Sequence, residues 1–162
     1  MSNRYTPLFA LAVVLATVAT PAAAQGGAKD RAICQSIGPS SIEPVSNGVV
    51  LQAIQYSCRV EGGAMNGAIM TGEQRYEIEG AKGRLVTGSG ATRVPGGTLV
   101  YAIDQGATTL AITDGKVTGS SGSGKGHYVA AYGAVAAMAG KTFNYTVHAT
   151  GPFTFVIDFA NE

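Results

Sequence analysis

The side chains on which chemistry could rest are few: two histidines, two cysteines, ten acidic residues and a set of seven tyrosines in a chain of 162. His127 closes a glycine-rich stretch beside Tyr128, and His148 stands on the polar phase of an alternating segment. Either imidazole could act as a base or a metal ligand. Neither has a second His at i+2 or i+4 or an adjacent carboxylate, so neither begins a ligand or triad pattern. Met65 and Met70 with the two His could in principle hold copper, but their spacing does not group them. Two Cys and two His cannot build a zinc ribbon, a finger or an iron–sulfur site. No metal and no cofactor is expected.

Gly119-Ser120-Ser121-Gly122-Ser123-Gly124-Lys125 satisfies G-x-x-x-x-G-K, but Gly126 follows where a phosphate loop needs Ser or Thr for magnesium. Gly140-Lys141-Thr142 fails the other way, because Val135 stands where the first Gly belongs. The first stretch reads instead as a flexible glycine–serine turn. None of Ser120, Ser121 and Ser123 has the flanking glycines of a nucleophile elbow. Glu73, Arg75, Glu77 and Glu79 form a charged row at period two, which reads as the solvated face of a strand. A paired-carboxylate hydrolase would need acids converging on one bond.

The cysteines are interpreted through the start of the chain. Arg4 precedes an apolar run, Leu8 to Thr20, that Pro21 breaks before Ala22-Ala23-Ala24. This is the layout of a cleaved signal peptide, residues 1–24, and the run is too short for a membrane anchor. Without Arg4 the remainder has ten basic and ten acidic side chains, which gives no electrostatic case for nucleic acid as a partner. No later stretch is long enough to span a bilayer as a helix. The expected product is exported, periplasmic or extracellular. In such a compartment the only two cysteines, Cys34 and Cys58, should be joined. Closing a loop of that length is worth roughly 3 kcal/mol in the chain-entropy account.

The elements that must position these residues are strands. Residues 25–48 read as a polar N-terminal segment, and 49–162 as one barrel-like domain. Val50, Ile54, Tyr56, Cys58 and Val60 alternate with Gln55, Ser57 and Arg59, and Tyr76 and Ile78 alternate with the charged row. Thr98 to Ile103 and Thr108 to Thr113 are β-branched runs separated by Asp104-Gln105-Gly106-Ala107, which suggests a hairpin turn. Asp114-Gly115 is the strongest turn signal. Phe143, Tyr145 and Val147 alternate in one strand. After Gly151-Pro152, the residues Phe153, Phe155, Ile157 and Phe159 share one face of the last. Tyr128 to Ala139 fits either a short buried helix or two strands turning at Gly133, and mid-helix glycine weighs towards strands. Short strands with regular turn signals predict an all-β fold, a single antiparallel β-barrel or sandwich.

Tyr76-Glu77-Ile78-Glu79-Gly80-Ala81-Lys82-Gly83 and Gly126-His127-Tyr128-Val129-Ala130-Ala131-Tyr132-Gly133 resemble the G-x-Y-x-G-A-x-G signature of small eight-stranded barrels of the allene oxide cyclase and dirigent kind. The first lacks the leading Gly, and the second has Ala130 in place of the internal one. The resemblance implies a barrel whose apolar lumen handles hydrophobic molecules. It makes Arg75, Tyr76, His127 and Tyr128 the candidate ligand-binding residues. Three expectations follow. The first is a non-catalytic exported barrel that binds a small apolar ligand or has a structural envelope role. The second is an isomerase or cyclase, marked by an inward-facing charged residue beside a Tyr. The third is a binding or inhibitor partner of another exported protein, marked by an exposed apolar patch.

Overall fold

The computed structural model describes residues 29–38 and 40–162, so the proposed signal peptide lies outside the described residues. Nine strands form one antiparallel sheet. They are β1 (Asp30–Ser36), β2 (Ser41–Ser46), β3 (Val49–Glu61), β4 (Ile69–Glu79) and β5 (Lys82–Val94), then β6 (Gly97–Thr113), β7 (Lys116–Gly133), β8 (Thr142–Gly151) and β9 (Thr154–Asn161). From β3 to β9 each strand pairs with the next, and β1 pairs with both β9 and β3. Eight strands therefore close into a barrel, which leaves no free edge within the ring. β2 lies outside the ring, against the first residues of β3.

Alternation fixes which side chains enter the lumen. Tyr56, Cys58 and Val60 of β3 are buried while Gln55, Arg59 and Glu61 between them are exposed. The N-terminal segment obeys the same rule. Asp30, Ala32 and Cys34 point in, and Arg31 points out to pair with Asp158 of β9 at 2.7 Å. The segment expected to stand apart from the barrel thus supplies β1, the stave that closes the ring, as well as β2. Cys34 and Cys58 are directly opposed partners of β1 and β3, and they form a disulfide inside the lumen. That bond staples the seam.

Three local expectations are corrected. Asp104 to Ala107 is not a turn, because β6 runs unbroken through it. Its pairing with β7 shifts register between Ile103 and Gln105, leaving Asp104 as the extra residue of a bulge. The glycine–serine stretch is not a turn either: it is the middle of β7, with Gly122, Gly124 and Gly126 on the lumen side. Phe153 leaves the apolar row. It sits in the β8–β9 turn at φ 63° and is 65% exposed, so the inward row is Phe155, Ile157 and Phe159.

Other expectations hold. Asp114 and Gly115, both with positive φ, make the tight β6–β7 hairpin. The open choice over Tyr128 to Ala139 resolves to strand as far as Gly133, followed by a single 3-10 turn at Ala136–Met138. Two connections fold over the same end of the barrel. In residues 62–68, Met65 and Ala68 are buried in the core, and in residues 134–141, Val135 and Met138 pack against it.

Candidate functional site

The lumen is lined by five tyrosines, Tyr56, Tyr76, Tyr101, Tyr128 and Tyr145, and glycines on neighbouring strands make room for them. In register across β3 to β6 stand Tyr56, Gly72, Gly90 and Tyr101. A Cβ on either glycine would collide with the Tyr101 hydroxyl. Lower in the barrel, Gly106 and Gly124 leave the space that the Tyr145 hydroxyl occupies. Large aromatic side chains opposite bare backbone let eight strands close around a packed interior.

The hydroxyls form an ordered relay. Tyr76 Oη donates to Gln74 Oε1 at 2.8 Å, and Gln74 Nε2 donates to Tyr56 Oη at 3.4 Å. Tyr56 Oη meets Tyr101 Oη at 3.0 Å, and Tyr101 Oη donates to the Thr71 carbonyl at 3.2 Å. Tyr128 Oη donates separately to Asn161 Oδ1 at 2.7 Å. Burial pushes all five phenols above their ordinary range, Tyr101 to about 12. They are therefore hydrogen-bond donors and not phenolate bases at neutral pH. Edge-on contacts of Phe155 with Tyr56 (centroids 5.6 Å apart) and of Phe143 with Tyr101 (6.1 Å) hold the rings in place.

At the end covered by residues 62–68 lies Asp30, which is 0% exposed. Its Oδ1 accepts the Met65 amide hydrogen at 3.0 Å, and its Oδ2 has no partner among the described residues. Burial raises the pKa of this carboxyl, and the Met65 amide offsets part of that rise. Its charge in turn adds to the upward shift of Tyr128, which is mainly due to burial.

The four residues singled out from sequence divide by parity. Arg75 and His127 are on the outer wall, while Tyr76 and Tyr128 are in the lumen, as adjacent residues of a strand must be. His127 Nδ1 is held by Asp104 at 2.9 and 3.1 Å, and this carboxylate comes from the unforeseen bulge. Arg75 stays in the exposed row, where Glu77 pairs with Arg84 of β5 at 2.6 Å. Met65 and Met70 face inward and the two histidines outward. Among the described residues no three His, Cys, Asp or Glu side chains converge on a point where a metal could sit.

Asp30 was missed because Lys29-Asp30-Arg31 reads as a solvated charge cluster. The available signal was its phase, since Asp30, Ala32 and Cys34 share one parity with a cysteine expected inside. Gln74 and Tyr101 were also missed.

The space left among the tyrosines is a cavity of about 30 Å³. A second depression, about 410 Å³ and wide open, lies on the outer wall between Ile37, Gln55, Glu73 and Ser89. It is an open trough on the sheet's outer face, with Gln55, Glu73 and Ser89 side by side in register across β3, β4 and β5. No family model, curated protein or solved structure matches the chain, so function has to be inferred from the site itself.

Proposed function

We propose that this protein is an exported, non-catalytic β-barrel with a structural role in the cell envelope, rigid and disulfide-stapled. The observation that carries this reading is the filled lumen. Pockets that bury small organic molecules run from about 300 to 1,000 Å³, against about 30 Å³ here. The apolar-ligand form of the same reading requires the Tyr101 and Tyr145 rings to leave the glycine beds they occupy. Support for export comes from the layout of residues 1–24 and from the lumen disulfide, which suits an oxidising compartment.

A second reading has one specific observation in its favour. A buried carboxyl, Asp30, stands near the lumen hydroxyl of Tyr128, which is the feature expected of a cyclase or isomerase of the allene oxide cyclase type. In that reading Asp30 would exchange a proton with a hydrophobic substrate admitted by displacement of residues 62–68.

Two measurements test the proposal together. Cell fractionation with intact-mass analysis should find a product lacking residues 1–24 outside the cytoplasm. Native mass spectrometry against fatty acids, sterols and polyenes should then find no saturable adduct. A stoichiometric adduct weakened by Tyr101→Ala would refute the structural reading in favour of ligand binding. Turnover of such a ligand abolished by Asp30→Asn would favour the isomerase.

A further inference from the structure

We infer that the lumen cavity is a binding site for one internal water, held between the hydroxyl of Tyr145 and the side-chain amide of Gln74. Tyr145 is 5% exposed and lines the cavity, and its hydroxyl makes no well-formed hydrogen bond among the described residues, although the Tyr76 hydroxyl is close enough to act on it. A buried phenol left unpaired is costly, and folded proteins relieve such groups with a bound water.

Three conditions decide whether a water can do this: enough room, a polar lining and at least two partners. Room is sufficient, because about 30 Å³ exceeds the roughly 10–15 Å³ that one water requires. The lining combines the polar side chains of Tyr56, Gln74, Thr92, Tyr101, Tyr128 and Tyr145 with apolar ones. The partners follow from counting donors and acceptors. Tyr101 spends its proton on the Thr71 carbonyl, Tyr56 spends its proton on Tyr101, and Tyr76 spends its proton on Gln74 Oε1. Capacity remains on the Tyr145 proton, the Thr92 hydroxyl, and the second N–H and second lone pair of the Gln74 amide. A water accepts from Tyr145 and donates to Gln74 Oε1. It thereby joins Tyr145 to a relay that already runs through Gln74, Tyr56 and Tyr101 to the backbone of β4.

The test compares wild type with Tyr145→Phe, which keeps the ring and removes only the hydroxyl. Water magnetic relaxation dispersion should count one fewer long-lived internal water in the variant, and its urea midpoint should fall. An unchanged water count, or a midpoint that rises because an uncompensated hydroxyl has been removed, would overturn the inference. The inference shares with the proposed function the premise of a filled lumen, but a lost water with no ligand adduct, or an adduct with an unchanged water count, separates the failure of one from the failure of the other.

Discussion

Replacing Gly124 with alanine should destabilise the barrel, although alanine is the better strand residue. A Cβ there would collide with the Gln105 carbonyl of β6 and stand 2.6 Å from Cζ of the Tyr145 ring. The carbonyl belongs to the neighbouring strand and cannot retreat. The Tyr145 hydroxyl also rests over Gly106, the register partner of Gly124, so the ring lies across both glycines and an added Cβ would have to lift it off that bed. Overpacking of this kind typically costs about 1–3 kcal/mol. Relief of glycine's backbone entropy returns roughly 0.5–1 kcal/mol, leaving a net loss of up to about 2.5 kcal/mol. For a domain of this size that is a fall of up to roughly 10 °C in Tm. Gly119, on the same strand, is the matched control: its added Cβ would meet only the Ala111 Cβ at 3.8 Å. Gly119→Ala should be neutral or stabilising. Thermal melts of both variants, followed by near-ultraviolet circular dichroism of the tyrosines, give the comparison. If Gly124→Ala melts with Gly119→Ala, the glycines of β7 do not serve as beds for the lumen rings, and the account of lumen packing fails.

Phe155→Ala should cost about 3 kcal/mol in urea denaturation, since Phe155 rests edge-on against Tyr56, while Thr154→Ala on the exposed side should stay within about 0.5 kcal/mol. Asp30 should give a pH dependence: its folded pKa lies above the unfolded value near 4, so its stabilising contribution is complete below that value and is lost as pH rises through the folded pKa. The stability of wild type relative to Asp30→Asn should therefore decline between acid and neutral pH, and a constant difference would mean that burial does not raise this carboxyl's pKa. Thiol titration of the denatured, unreduced protein should find almost no free thiol, and reduction should cost roughly 3 kcal/mol, as expected for a bridge spanning 24 positions.

Most of the fold was legible because strand parity is a strong signal wherever one face is buried. The Tyr56–Cys58–Val60 and Phe143–Tyr145 alternations were read with the correct face inward. Asp114-Gly115 was legible because few dipeptides tolerate positive φ twice. The failures share a cause. Glycine carries no side chain to report its environment, so Gly122, Gly124 and Gly126 looked like a flexible turn, although Gly124 and Gly126 stand opposite the rings of Tyr145 and Phe143. Asp104 to Ala107 looked like a turn because a bulge and a turn use the same residues. The site was half legible. Tyr76 and Tyr128 could be named, but Arg75 and His127 could not belong with them, since neighbours on a strand face opposite ways. Asp30 could be placed inside by its parity with Cys34, but its Met65 partner and the contacts of Gln74 depend on long-range pairing that local pattern does not encode.

The seam has a consequence for how the chain can fold. Arg31 and Asp158, 127 positions apart, meet across the β1–β9 pair. The ring therefore cannot shut until the last strand has been made. Until then β3 to β8 can assemble as a meander of successive hairpins, each needing only local contacts. β1 would meanwhile stay exposed along the edge that later receives β9. The Cys34–Cys58 bond ties β1 to β3 across a short span, so it can form early and hold that edge in register as a ready template. An oxidised chain would then complete its slowest step by docking a single strand, whereas a reduced chain has to bring both ends of the molecule together unaided. Reduction should thus slow barrel closure, beyond any effect on the stability of the finished barrel.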